Sequence, residues 1–314
     1  MKVFIESANI VSTVNQHLTE RSVNMSISSM KQLVQDAALQ DKAVGAFNVG
    51  NMEMILAVVT AANELNTPVI LQIAQSRLLH SPLYLMGPMM ISAARNAPVD
   101  IAVQLDHGQT EETVREALSL GFSSIMFDGS GYEYSKNVRL TSRIAAMARD
   151  AGASVEGELG AIGRSGEKEL KMICTDPDLA QEFVQKTGVD ALAVAIGNAH
   201  GHYAADPKLQ YNVLERIHNK VSIPLVLHGG TGIRPEDFRK CIRHGVRKIN
   251  IATADFDALT RGAQHYFADR EDYNYFGLNE EMVHEVYGTV KKHILIFNNQ
   301  ISLEQIFKNQ EEKA

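Results

Sequence analysis

The chain has 314 residues and a formal net charge of −7, and hydrophobic side chains make up 45% of it. This length and apolar content allow a large core in one or two domains, and single α/β barrels reach this size. An acidic balance without a Lys/Arg block argues against nucleic acid as the main partner, and no stretch approaches the roughly 20 apolar residues of a membrane span. Two cysteines without metal-type spacing, and an N-terminus without a signal-like apolar run, lead us to expect a cytoplasmic protein.

Short apolar runs alternate with longer amphipathic stretches through most of the chain. Runs rich in Val, Ile and Ala predict eight strands: Ala43–Asn48, Pro68–Ile73, Asp100–Asp106, Ser123–Asp128, Ala153–Glu158, Asp190–Ile196, Ile223–His228 and Arg247–Ile251. Amphipathic stretches predict helices, among them Met25–Leu39, Met52–Leu65, Glu111–Leu120, Val138–Asp150, Pro177–Lys186, Pro235–His244, Ala258–Ala268 and Glu280–Asn298. Eight strands that alternate with helices pair in parallel, which predicts an α/β fold of the (β/α)₈ TIM-barrel type with extra C-terminal helices.

The first residues do not follow this alternation. Residues 1–24 have no clear period, and we expect an N-terminal extension that is a disordered arm, an oligomer contact or a product of the chosen start site. Residues 25–314 contain no internal repeat and no low-complexity linker, so we expect them to form a single barrel domain.

Polar side chains close almost every predicted strand. These residues are Asn48, Asp106, His107, Asp128, Glu158, His200, His228 and Asn250. The carboxyl ends of the strands of a (β/α)₈ barrel form one rim, where the reactive groups of such enzymes lie. Packing alone does not predict so much polarity at one end of the strands and so little within them.

Three histidines of this rim, His107, His200 and His228, are each followed by glycine. Neutral imidazoles are good zinc ligands, and three protein ligands with one open position are the arrangement of a catalytic zinc. Asp106 precedes the first of these histidines, and two roles stay open for it. It is either a general acid–base beside a metal-bound substrate or a partner that orients His107.

A glycine-rich turn follows the seventh strand, with the sequence His-Gly-Gly-Thr-Gly from His228 to Gly232. Such turns bind anions through successive backbone N–H groups, and the loops after strands seven and eight are the usual phosphate site of this fold. Asn250, near the end of the eighth strand, and Thr253, just after it, predict the other wall of that site. Asp128 and Glu158 add carboxylates that either frame the histidines through hydrogen bonds or hold a second cation.

Six runs, in order, resemble the class II, metal-dependent ketose-bisphosphate aldolases over about residues 25–300. The runs begin at Gly45 (GAFN), Leu105 (LDH), Ser154 (SVEGELG), Leu192 (LAVAIGNAHG), Pro224 (PLVLHGG) and Lys248 (KINIAT). The resemblance implies that His107, His200 and His228 bind zinc and that Asp106 exchanges a proton with the C4 hydroxyl of the substrate. Asp128 and Glu158 match carboxylates that hold a second metal in some members of the family, and a monovalent cation is a further candidate cofactor.

The resemblance further implies a small phosphorylated sugar as substrate, cleaved to dihydroxyacetone phosphate and an aldehyde by a homo-oligomer, either a dimer or a tetramer. The positions expected around the substrate and its phosphate are Asn48, Gly201, Gly229, Gly230, Thr231, Asn250 and Thr253. Ala204 stands where fructose-type members often have a phosphate-binding lysine, which favours a tagatose-type substrate. Glu167 is a loose candidate for the mobile catalytic glutamate of the family, and the loop Gln75–His80 departs from the family form.

Two other functional classes compete with this interpretation. A metal-dependent barrel hydrolase would use the pair His200 and His202, but that pair normally follows the first strand, which here ends in Asn48. A non-catalytic binding or stabilising subunit related to aldolases would not need to keep Asp106 together with all three histidines. We therefore expect a zinc-dependent aldolase that acts on tagatose or fructose 1,6-bisphosphate or on a related ketose 1-phosphate.

Overall fold

The structure is a computed structural model that describes residues 27–160, 162, 174–268 and 272–300. The predicted extension 1–24 and the candidate Glu167 lie outside these residues. Among the described helices, none is long and apolar enough to cross a membrane.

Eight parallel strands close into a barrel in which each strand pairs with the next and the last pairs with the first. They are β1 Val44–Asn48, β2 Val69–Ala74, β3 Ile101–Gly108, β4 Ser124–Phe127, β5 Ser154–Leu159, β6 Ala191–Val194, β7 Leu225–Leu227 and β8 Val246–Ile251. The predicted TIM barrel is confirmed, because every predicted run overlaps one of these strands. β3 continues two residues beyond its predicted end at Asp106, whereas β6 ends two residues before its predicted end at Ile196.

Helices precede the barrel, separate its strands and follow its last strand. They are α1 Met30–Ala38, α2 Met52–Glu64, α3 Leu83–Asn96, α4 Glu111–Ser119, α5 Tyr134–Asp150, α6 Pro177–Thr187, α7 Tyr211–Lys220, α8 Pro235–Arg243, α9 Thr253–Ala268 and α10 Tyr275–Phe297. The two helices after β8 confirm the predicted C-terminal additions, although both begin five residues earlier than predicted. α1 begins at Met30 because the Ser29 side chain accepts a hydrogen bond from Gln32 N and caps the helix there.

The barrel has two separate apolar layers. One lies between the strands and the surrounding helices, and the other fills the amino-terminal part of the barrel interior. In the inner layer, α1 contributes Met30, Leu33 and Val34, which contact the small inward side chains of the strands. The backbone N–H of Met30 donates to Ser124 Oγ at 2.9 Å, so α1 closes the bottom of the barrel. The polar rim is therefore the open end of the interior.

We predict that Leu33→Ala lowers the free energy of unfolding by about 2–5 kcal/mol, the usual range for truncating a buried leucine. Leu33 is 3% exposed and lies in the inner apolar layer. Denaturant unfolding followed by circular dichroism measures the change. Gln35→Ala, on the exposed face of the same helix, is the matched control and should stay within about 0.5 kcal/mol of wild type. Equal stability of the two variants would show that α1 does not close the barrel.

Candidate active site

The open end of the barrel contains a cavity of about 540 Å³. The described residues that line it come from the ends of the strands and the loops that follow: Asn48, Ala74, Ser76, Arg77, Asp106, His107, Gln109, Asp128, Ile162, His200, Gly201, Gly229, Gly230, Thr231, Asn250, Ala252 and Thr253. Most of the predicted site residues are on this cavity wall. Glu158 and His228 are buried beside it.

Asp106 and His107 reach the same site although they are neighbours in one strand. Successive side chains of a regular strand point to opposite faces. Here the pairing of β3 with β4 shifts register between Leu105 and Gly108, and His107 has a φ of 44°. A positive φ is uncommon for a residue other than glycine and is retained where the surrounding structure enforces it. This irregularity turns both polar side chains into the mouth of the barrel.

The three rim histidines form one cluster. The ring centroid of His107 lies 4.9 Å from that of His200 and 4.8 Å from that of His228. The centroids of His200 and His228 are 5.8 Å apart. One ring nitrogen from each histidine falls within 4.8 Å of the other two. The structure thus brings together the three side chains that the sequence predicted to converge.

Two of these histidines use one ring nitrogen on a carboxylate and turn the other toward the cluster. His107 Nδ1 lies 2.9 Å from Asp128 Oδ2, and His228 Nε2 lies 2.7 Å from Glu156 Oε1. His107 Nδ1 and His228 Nε2 therefore each carry a proton and donate it in a hydrogen bond to the carboxylate. The remaining nitrogens, His107 Nε2 and His228 Nδ1, face each other at 3.0 Å. Two unprotonated nitrogens at this distance repel unless a proton or a metal ion lies beside them.

This donor set fits a zinc ion. Histidines that bind a metal usually donate their other N–H to a carboxylate or carbonyl, as both do here. Two tetrahedral ligands at the ordinary Zn–N distance of about 2.0–2.1 Å are about 3.4 Å apart, close to the separation of the facing nitrogens. His200, the third member, lines the cavity.

The electrostatics of the cluster favour a cation. Burial alone would lower the pKa of His107, but the negative charge of Asp106 and the hydrogen bond that His107 donates to Asp128 raise it to about 10. For His200, burial and the positive charge of His107 lower the pKa to about 3. His107 therefore holds a proton when no other cation is present, and His200 keeps a free lone pair.

Asp106 is buried and held by two amides. Asn48 Nδ2 donates to one carboxylate oxygen at 2.9 Å, and Asn250 Nδ2 donates to the other at 3.2 Å. Burial would raise the pKa of Asp106, but the nearby charges of His107, His228 and Lys248 and the Asn48 hydrogen bond lower it. The carboxylate is therefore ionised and aimed at the histidine cluster, as a general base requires.

Asp128 and Glu158 form a second acidic group beside His107. His107 Nδ1 is 3.9 Å from Glu158 Oε2, and ligand atoms of these three residues fall within 4.8 Å of one another. Burial and the charge of Asp128 raise the pKa of Glu158 to about 8, so a proton or another cation is favoured between the two carboxylates. Asp128 also accepts from Ser130, which fixes its orientation.

A buried ion pair lies directly below the cluster. Lys248 Nζ is 2.9 Å from Glu156 Oε2, both side chains are 0% exposed, and Gln104 Nε2 donates to the same oxygen at 2.9 Å. Sequence reasoning included Glu156 and Lys248 in motifs but did not assign them to the site. The signal that could have found them is the two-residue period of a strand. Glu156, Lys248 and Gln104 each lie two positions before a polar residue that points into the barrel, so they point to the same face.

The glycine-rich turn lies on the opposite side of the cavity from β3. Gly229 has a φ of 65°, and a Cβ there would meet Ala199 O at 2.1 Å, so only glycine fits. The Thr231 hydroxyl accepts from Ala254 N at 3.0 Å and ties the turn to the start of α9. The Thr231 side chain thus caps a helix, and its backbone N–H is the group left for an anion.

His202 does not join the cluster. It is largely exposed, and its Nε2 lies 3.2 Å from Asp257 Oδ2. The pair of histidines that a barrel hydrolase would use is therefore not formed by the described residues, since only His200 points to His107 and His228.

Comparison with known proteins gives the family. The family model described as fructose-bisphosphate aldolase class-II matches residues 28–301. Fructose-bisphosphate aldolase from Staphylococcus epidermidis is 36% identical and covers 85% of this chain and 97% of its own length. The Geobacillus stearothermophilus fructose-bisphosphate aldolase is 37% identical over 78% of this chain and 87% of its own.

A solved structure supports the same assignment. The crystal structure of the YdjI aldolase from Escherichia coli superposes with a TM-score of 0.78 at 33% identity, covering 87% of this chain and 97% of that one. The chain therefore belongs to the class II fructose-bisphosphate aldolase family, a family of generally metal-dependent lyases that act on phosphorylated sugars.

Proposed function

We propose that this protein is a zinc-dependent aldolase that cleaves a ketose 1,6-bisphosphate of the tagatose or fructose type, or a related ketose 1-phosphate. The products are dihydroxyacetone phosphate and an aldehyde. The observation that carries the proposal is the cluster of His107, His200 and His228 beside an ionised Asp106. An ionised base aimed at a metal-binding cluster has no use in a non-catalytic subunit.

His107, His200 and His228 would hold the zinc ion. Bound there, zinc supplies Lewis-acid polarisation of the substrate ketone, which stabilises the negative charge that develops on its oxygen. The carboxylates of Asp128 and Glu156 would keep His107 and His228 in the ligating orientation. Asp128 and Glu158 would provide a second cation site, for a metal or a monovalent cation, on the far side of His107.

Asp106 would move the proton of the reaction. In cleavage it accepts the proton of the C4 hydroxyl while the C3–C4 bonding electrons pass to C3 and C4 becomes the aldehyde carbon. In condensation it returns that proton to the new C4 oxygen. Asn48 and Asn250 hold both of its oxygens and so fix its direction.

The phosphate of dihydroxyacetone phosphate would bind at the glycine-rich turn. The backbone N–H groups of Gly229 and Thr231 and the start of α9 at Thr253 would supply donors there. The Gly230 N–H already donates to Asn250 O at 3.2 Å, and Gly230 and Gly201 line the same wall. Ala204 in place of a lysine leaves backbone donors as the main support and favours a tagatose-type substrate. We further propose residues 25–314 as a single domain and a homo-oligomeric enzyme.

We predict that His200→Ala lowers bound zinc from about one ion per chain to near zero, because a catalytic zinc site needs its three protein ligands. His202→Ala is the matched control, since His202 is two residues away and exposed on an ion pair with Asp257. Metal analysis of the purified, desalted proteins gives the result. Zinc retained by His200→Ala and lost by His202→Ala would place the metal elsewhere.

We predict that Asp106→Ala lowers turnover of tagatose and fructose 1,6-bisphosphate by about 10²–10⁴-fold, the usual contribution of a general acid–base. Zinc content should stay near wild type, because all three histidines remain. Proton exchange at C3 of bound dihydroxyacetone phosphate, followed by NMR in deuterated water, should survive better than cleavage because it does not involve the C4 oxygen.

Asp150→Ala, at the exposed end of α5, is the control for Asp106→Ala and should behave as wild type. Loss of zinc and C3 exchange in proportion to cleavage would make Asp106 a support for His107 and not the proton carrier. Wild-type protein that is loaded with zinc and cleaves none of the ketose phosphates would refute the proposed function itself.

A further inference from the structure

One arginine on the cavity wall has no part in the proposed chemistry. Arg77 ends a single 3₁₀ turn, Gln75–Arg77, that directly follows β2. Arg77 and its neighbour Ser76 both line the cavity that contains Asp106 and the histidine cluster. Among the described residues of this lining, Arg77 is the one lysine or arginine.

The turn that carries Arg77 is anchored on two sides. The Gln75 side chain accepts a hydrogen bond from the backbone N–H of Gln109 at 2.7 Å, which ties the loop after β2 to the loop after β3. The guanidinium carbon of Arg77 lies 4.8 Å from the ring centroid of Phe256, a cation–π distance. Stacking of this kind holds a guanidinium in place and leaves its N–H donors free at the edge.

The position of Arg77 along the substrate follows from strand register. Ala74 of β2 pairs with Asp106 of β3, and Arg77 lies three residues beyond Ala74. In the proposed reaction, C1 carries the phosphate at the glycine-rich turn and the C4 oxygen lies at Asp106. The atoms beyond C4, which become the aldehyde product, therefore extend toward the loops after β2 and β3.

The charge of Arg77 is not compensated within the described part of the chain. No aspartate or glutamate there forms a salt bridge with it, while the carboxylates of Asp106 and Asp128 line the same cavity. A free guanidinium in a cavity is suited to bind phosphate or carboxylate through two parallel hydrogen bonds. The exposed Ser76 hydroxyl beside it adds a further donor.

We propose that Arg77, assisted by Ser76, binds a terminal anion on the aldehyde half of the substrate and so determines which aldehydes the enzyme accepts. The anion is a phosphate or a carboxylate, because the guanidinium recognises both through the same chemistry. This inference rests on the proposed aldolase function, since it assigns the far end of that substrate. Arg77, in the loop after β2, is then a residue that determines the specificity for the aldehyde.

The test uses the zinc-loaded full chain in the condensation direction, with dihydroxyacetone phosphate and one of three aldehydes. Glyceraldehyde 3-phosphate carries a phosphate, succinic semialdehyde carries a carboxylate, and glyceraldehyde is uncharged. Arg77→Gln should lower kcat/KM for an anionic aldehyde by about 10- to 100-fold, mainly through KM, because it removes a charge-assisted pair. The loss for glyceraldehyde should be at most about twofold. The aldehyde that suffers the larger loss identifies the anion.

Two further variants complete the experiment. Arg77→Lys keeps the charge without the planar fork and should recover part of the loss. Arg95→Gln is the matched control, because Arg95 is exposed in the last turn of α3 near the opposite end of the barrel. Calorimetry of dihydroxyacetone phosphate binding to wild type and Arg77→Gln separates the two ends of the substrate, and equal affinities are expected.

Equal losses of kcat/KM for charged and uncharged aldehydes in Arg77→Gln would overturn the inference. A marked loss of affinity for dihydroxyacetone phosphate in the same variant would also overturn it, because it would place Arg77 on the C1 phosphate. Failure of the proposed function gives a different result. In that case the wild-type protein itself would form no product with any aldehyde and would catalyse no C3 proton exchange.

Discussion

The buried ion pair between Lys248 and Glu156 is the constraint on which the rest of the site depends. The two groups are 2.9 Å apart and fully buried inside the barrel. Glu156 also contacts His228 Nε2, and Lys248 donates to Asn250 Oδ1, which places the Asn250 amide against Asp106. One ion pair thereby orients both a histidine of the cluster and the carboxylate beside it. Removing one partner of such a pair typically costs about 3–5 kcal/mol, because the other charge stays buried.

The layers of the barrel explain why this ion pair is tolerated. Below it, α1 and the small inward side chains form a dry apolar layer, and above it the amides, carboxylates and histidines satisfy its remaining hydrogen-bonding groups. The low dielectric of the layer below strengthens every interaction above it. The irregular backbone at His107 is the local distortion that brings two adjacent side chains, Asp106 and His107, into the same cavity.

The fold and the rim were largely predictable from the sequence, because strand periodicity and polar strand ends are local signals. The rim residues from Asn48 to Asn250 lie at one cavity for that reason. Helix starts were less predictable: α9 begins at Thr253 because Thr231, 22 residues earlier, caps it through Ala254 N. The Glu156–Lys248 pair joins β5 to β8, which are not neighbours, so no sequence signal pairs them before the barrel is closed. Arg77 is exposed in a short loop, and its cavity position depends on Phe256.

A single metal at the three histidines and a phosphate at the glycine-rich turn would together define the reaction. Anomalous diffraction at the zinc edge, from crystals grown with zinc and dihydroxyacetone phosphate, tests both halves together. We predict one strong peak in contact with ring nitrogens of His107, His200 and His228, with the phosphate against Gly229, Gly230 and Thr231. A zinc peak held only by Asp128 and Glu158, or a phosphate bound to Arg77 with the turn empty, would contradict the account.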